Sequence, residues 1–162
     1  MAAVDYFLKI DSIPGESEDD KHKGEIQLES WSLGATQSRS FAMGGGGGAG
    51  KVQMQDFHFV AKLDKAGPKL LLACATGEHL PKSVLVCRKA GTDQQEYMKI
   101  TLSDCLVSSY HTSGSGGSDI VPLEEVSINF AKIEYEYKEQ KPDGTLGGTT
   151  KAEFDLKKMK HA

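Results

Sequence analysis

One stretch of the chain has the spacing of a phosphate-binding loop. Gly45, Gly50 and Lys51 fit G-x-x-x-x-G-K, in which backbone N–H groups cradle phosphates ahead of a helix. The surrounding residues do not support that chemistry. Position eight is Val52, which has no hydroxyl to hold Mg²⁺, and the residues after it alternate with period two, so no helix N-terminus faces the phosphates. Ahead of the run, Ser38, Arg39 and Ser40 do not make a buried strand. Other constellations are thin. Ser115 lies among glycines without a G-x-S-x-G frame, and a flexible tract separates it from His111, so nothing orients a base beside a nucleophile. His58 sits between Phe57 and Phe59, His79 follows a helix end and His22 lies in a charged loop; no two histidines have metal-ligand spacing. Cys74, Cys87 and Cys105 form no C-x-x-C pair and sit in apolar stretches, where a reduced thiol acts as a small core hydrophobe. Glu124-Glu125 and Glu134/Glu136 fit a solvated sheet face better than a general acid and base. The residues therefore predict no enzyme, no catalytic group, no metal and no cofactor.

The elements that hold these residues are mostly strands. Tyr6, Leu8 and Ile10 alternate up to the Pro14-Gly15 turn, and residues 16–23 read as an exposed, charged loop. Ile26 and Leu28 are apolar at even positions, Trp31 and Leu33 at odd ones; later, Val126, Ile128 and Phe130 give way to Ile133, Tyr135 and Tyr137. Two long strands that each exchange their buried face suggest a closed or sharply folded sheet rather than a flat sandwich. Strands are also expected at 52–60, 83–89, 96–110 and 152–159. Pro68 near a first turn and Gly77 past a last one predict a single short helix over about 68–76. The fold class is mainly β: two antiparallel sheets curled into a barrel, one helix on its side and a long glycine-rich arm.

With 162 residues, the chain should bury roughly 68–70% of its unfolded surface, enough for one domain over 1–162 without staples. No apolar run approaches the roughly 18–20 residues of a membrane span. The first ten residues include Asp5 and alternate, so no Sec signal is expected. A formal net charge of −4 without a Lys/Arg cluster argues against nucleic acid.

The glycines themselves, Gly44, Gly45, Gly46, Gly47, Gly48 and Gly50, carry the other signal. Ordering a residue costs roughly 1–2 kcal/mol, and glycine recovers none of it through a side chain. The run is therefore either a disordered linker or an arm fixed by another chain, with Phe41, Met43, Val52 and Met54 as apolar anchors. A soluble monomeric barrel that binds carbohydrate or lipid is the alternative function.

The ordered combination of motifs resembles a family. Val4 to Ile10, Gly15-Glu16-Ser17, Glu25-Ile26, Trp31-Ser32, Gln37-Ser38 and Ala49-Gly50-Lys51-Val52 are followed by Pro68, Leu70, Ala73-Cys74, Gly77 and His79. Then come Arg88-Lys89-Ala90-Gly91, Glu96-Tyr97, Leu106-Val107-Ser108-Ser109, Gly114 to Gly117, Asn129-Phe130-Ala131 and Tyr135 to Gln140. Together, over about residues 3–148, these resemble the Hcp proteins (haemolysin-coregulated proteins), the tube subunits of bacterial type VI secretion systems.

The resemblance implies hexameric rings stacked into a tube, within a contractile sheath and behind a VgrG-like spike, and some members that shelter small effectors in the lumen. It implies a subunit held in the bacterial cytoplasm and then expelled without a Sec signal. An arm of Phe41, Met43, Gly44 to Gly48, Gly50, Lys51 and Val52 would meet a neighbouring subunit. Ser30 and Ser32 would either face the lumen or be plainly solvated. Residues 17–23 and the thiols Cys87 and Cys105 depart from the family's pattern.

Overall fold

The computed structural model describes residues 4–41, 50–89, 94–117 and 121–160. Twelve elements follow one another: β1 (Val4–Ile10), β2 (Ile26–Gln27), β3 (Ser30–Ser32), β4 (Ala35–Gln37), β5 (Val52–Met54), β6 (Phe57–Lys62), α1 (Ala66–Thr76), β7 (Leu80–Lys89), β8 (Glu96–Ser113), β9 (Leu123–Asn129), β10 (Lys132–Gln140) and β11 (Leu146–Asp155). All the strand pairings among them are antiparallel.

Strand β8 organises the molecule. Its first half lies between β7 and β10, from Leu80 opposite Cys105 to Arg88 opposite Glu96, and from Lys132 opposite Ser103 to Tyr137 opposite Met98. Its second half pairs instead with β9. The switch falls where Asp104 takes a φ of 54° and the register slips between Val107 and Ser109. Such an irregularity increases the local twist and re-aims the side chains. Accordingly the inward residues pass from Met98, Ile100 and Leu102 to Cys105 and Val107.

The expected exchanges of buried face mark the same change of sheet. Both strands are broken there. Ile26 and Leu28 are buried beside β1, and after Glu29 the chain pairs as β3 with β6. Val126, Ile128 and Phe130 are buried on the β9 side, and Ile133 begins β10 on the other sheet. The hydrogen-bonded path runs from β2 to β3 without closing on itself. The chain bridges that seam: Leu28 N–H donates to the Tyr6 carbonyl at 2.9 Å, and Glu29 N–H to that of Val60 at 2.8 Å.

One core fills the space between the sheets, with Phe57, Phe59, Leu8, Leu85, Ile100 and Ile128 all buried. Helix α1 lies against β8, turning Leu70 and Ala73 inward. It begins at Ala66, ahead of the expected start near 68, and ends at Gly77, whose left-handed backbone (φ 65°) lets its N–H reach the Ala73 carbonyl. The strand expected over 52–60 is two, separated at Gln55 and Asp56; β8 runs on to Ser113, and the last strand lies at 146–155 instead of 152–159.

The loop at 16–23 is not simply exposed. Arg88, on the outer face of β7, is 2% exposed and donates to Asp19 and to Asp5. His22 is buried, stacked on Phe7 with ring centres 4.5 Å apart. The loop thus covers the outer face of β1 and β7, where Phe7 and Val86 are also buried.

Candidate assembly surface

Strands β4 and β5 form a two-stranded ribbon of their own, apart from the nine-stranded sheet. Ala35, Thr36 and Gln37 pair with Met54, Gln53 and Val52. The ribbon continues past the last strand pair: Lys51 N–H donates to Ser38 Oγ at 3.1 Å, and Arg39 N–H to Gln37 Oε1 at 3.0 Å. Gly50 permits this close pairing. A Cβ there would fall 2.2 Å from Gln37 Oε1 and 2.4 Å from the Arg39 backbone nitrogen. All three β4 residues are exposed. At the end of the described part, Phe41 is 82% exposed, with the Arg39 guanidinium 4.5 Å from its ring centre.

At the foot of the ribbon lies an apolar groove of about 420 Å³, between Leu33 and Met54 on one side and Ile133, Tyr135, Ala152 and Phe154 on the other. Strand alternation puts these β10 and β11 residues on one face and Glu134, Lys151 and Glu153 on the opposite one, where Lys151 pairs with Glu153 at 2.7 Å. Tyr135 and Tyr137 are each about two-fifths exposed on the apolar face.

Two ionisable clusters stiffen the body that carries this surface. In the first, hydrogen bonds from Arg88 hold the Asp19 carboxyl down at about 2, while His22 Nδ1 lies 3.0 Å from both Glu25 oxygens and its Nε2 2.8 Å from Glu96. In the second, Glu124 is fully buried, which corrects its assignment to a solvated face. Burial raises its carboxyl to about 7; Tyr110 Oη donates to Oε2 at 3.0 Å, and Oε1 has no hydrogen-bond partner among the described residues. The start of α1 packs on this pair through Gly67, where a Cβ would come 3.0 Å from Glu124 Oε2. Burial also pushes the Cys87 thiol up to about 12 and that of Cys105 to about 11, as suits core thiols.

Of the arm residues named from the sequence, Phe41, Gly50, Lys51 and Val52 stand on or beside the exposed ribbon; Met43 and Gly44 to Gly48 lie outside the described residues. Ser30 and Ser32 flank Trp31 on β3 and are exposed, opposite Val60 and His58. Their outward face continues through Ser127, whose Oγ is 3.1 Å from His58 Nδ1, and Ser109. Among the described residues, no group of three or more His, Cys, Asp or Glu could hold a metal ion, and no helix is long and apolar enough to cross a membrane. The groove went unnoticed in the sequence because its walls come from four separate segments.

Residues 7–137 match the family described as "Type VI secretion system effector, Hcp". The chain is 48% identical over 147 residues to Protein hcp1 of Pseudomonas aeruginosa, covering 90% of each. Its fold superposes on Hcp1 from Salmonella typhimurium with a TM-score of 0.82 at 37% identity, covering 99% of this chain and 100% of that one. A second solved structure, described as a type six secretion system protein, gives a TM-score of 0.91 at 30% identity, again covering 99% and 100%.

Proposed function

We propose that this chain, which belongs to the Hcp family of type VI secretion proteins, is the structural subunit of a secretion tube, built from hexameric rings stacked head to tail. The observation that carries this is the exposed β4–β5 ribbon. A two-stranded ribbon is marginal in water unless something packs on it, and one subunit half-buries Val52 and Met54 of β5 but leaves all of β4 exposed. A neighbouring subunit supplies the cover. Contacts between unlike surfaces close into a ring when the rotation permits and propagate otherwise, so one chain with an arm and a distant seat can build both rings and stacks.

In this arrangement Phe41, Met43, Gly44 to Gly48, Gly50, Lys51 and Val52 form the intersubunit arm. The outward face bearing Ser30 and Ser32 lines the lumen, where its small hydroxyls let an effector protein lodge and leave. A VgrG-like spike and a contractile sheath are the further partners. The role is mechanical: the subunit moves cargo by being expelled and needs no reaction centre. The barrel interior is filled by Phe57, Phe59 and their neighbours, which speaks for a structural body over a ligand-binding barrel.

Deleting Gly44 to Gly48 tests the arm. The variant should keep the wild-type circular dichroism spectrum and melting transition but lose ring stacking and appearance in the culture medium. Unchanged assembly and secretion would remove the arm from the account.

A further inference from the structure

We infer that His22 is a proton-held latch: its imidazolium fastens the strap of residues 16–24 over the outer face of β1 and β7, and loss of one ring proton releases that strap.

The ring's two nitrogens both meet carboxylates. Nδ1 lies 3.0 Å from each oxygen of Glu25, and Nε2 lies 2.8 Å from Glu96 Oε1. A carboxylate only accepts, so serving both partners takes two N–H groups, and imidazolium alone has two. A neutral ring would turn a bare lone pair toward one of the two acids. The surrounding charge favours the same state. Packed about the ring are Glu25 ahead of β2, Glu96 on β8, and the Arg88 guanidinium of β7 with its partners Asp5 on β1 and Asp19 in the strap. Four carboxylates against one fixed cation leave a net −3, which the imidazolium brings to −2. Lys21 and Lys23, next to His22 in the chain, are exposed. Phe7 backs the ring in parallel, 7° between planes and 4.5 Å between centres, a contact that gains from positive charge.

The strap depends on such links. Its backbone closes on itself, with Gly15 N–H donating to the Gly24 carbonyl and Gly24 N–H to that of Ser17, both at 2.8 Å. Asp19 and His22 tie its middle to the sheet, through Arg88 and through Glu96 and Phe7. One of these two ties changes with pH, because histidine is the side chain that ordinarily changes charge between pH 5 and 8. Beneath the strap lie Phe7 and Val86, 2% and 7% exposed. Release therefore bares an apolar patch on the outer wall of the barrel, a surface that the protonated protein keeps covered.

Hydrogen exchange on the full-length protein tests the latch. Amides of residues 17–24, corrected for the chemical exchange rate at each pH, should be protected at pH 6 and exchange at least tenfold faster by pH 10. Amides of β8 opposite β7 should not change. His22→Gln should exchange fast at every pH, since an amide cannot donate to both acids. Glu96→Gln keeps an acceptor at Nε2 but removes a charge, so its transition should move to lower pH. Nitrogen NMR of the ring, identified by the signal that His22→Gln lacks, should find two N–H groups at pH 6. A single N–H there, a strap whose corrected exchange ignores pH, or a His22→Gln profile that tracks wild type would each overturn the latch.

Discussion

Replacing Glu124 by Gln should change how stability responds to pH, by an amount that follows from where the carboxyl sits. Glu124, on β9, is fully buried against Tyr110 of β8 and the start of α1, with its Oε1 unpartnered among the described residues and Asp64 nearby to repel a second negative charge. In the fold its carboxyl therefore holds a proton up to about 7, against an ordinary 4.5 in the open chain. Between those two values the folded protein keeps a proton that the unfolded chain has released, so stability falls as pH rises through the window and levels off above it. At about 1.4 kcal/mol per pH unit the loss totals about 3 kcal/mol. The variant has no proton to lose. Its amide still accepts from Tyr110, and its NH₂ meets the same lack of partners as Oε1, which offsets its baseline by about 1–3 kcal/mol at every pH. The pH-dependent difference is thus the clean quantity. Urea unfolding at fixed protein concentration, from pH 4.5 to 8, should show wild type losing about 3 kcal/mol relative to Glu124→Gln. Parallel curves across that range would refute the assignment of this proton to Glu124.

Three further substitutions probe the parts that hold the surface in place. Asp19→Asn removes the main partner of buried Arg88 and should cost about 2 kcal/mol near neutral pH, a cost that vanishes as acid lowers the pH through about 2, where wild-type Asp19 itself protonates; urea titrations at both ends of that range check it. Gly15→Ala would push a methyl to 2.6 Å from the Glu25 carbonyl oxygen and 2.9 Å from Ile26 Cα, so backbone must move and the melting curve should report a loss of about 1–3 kcal/mol. Gly50→Ala, by contrast, strikes only the ribbon, where the Arg39 backbone blocks the new methyl. Sedimentation velocity should find its assembly weakened while calorimetry finds the barrel unchanged.

The barrel was legible because burial on one face forces period two, and a change of that parity forces the chain across to another sheet. Leu28 to Trp31 and Phe130 to Ile133 mark such crossings. The third crossing, within β8, was hidden: parity changes from Ile100 and Leu102 to Cys105 and Val107 around Asp104, which has a positive φ, but the exposed Leu106 keeps an apolar residue at an even position and masks the change. Glu124 was missed through its chemistry. Its parity matches Val126 and Ile128, so alternation alone would have placed it inward, but a Glu-Glu pair looks solvated. The docked loop depends on partners far along the chain, with Asp19 and His22 reaching Arg88 and Glu96 across 69 and 74 residues. No local pattern encodes that. The only local hint was an arginine placed within the apolar run of β7. At the assembly surface, the arm read over 41–52 lies mostly outside the described residues, the pairing of 35–37 with 52–54 was not read from the sequence, and the groove required the packing of 33–35 against β10 and β11.

The central claim is that one chain carries both halves of a repeating contact. Light scattering on the eluting peak of purified wild-type protein measures its outcome most directly. The account predicts a dominant species near six times the 17.5 kDa subunit mass, seen end-on in electron micrographs as rings with an open centre. A mass of one subunit, unchanged up to the highest soluble concentration, would contradict it.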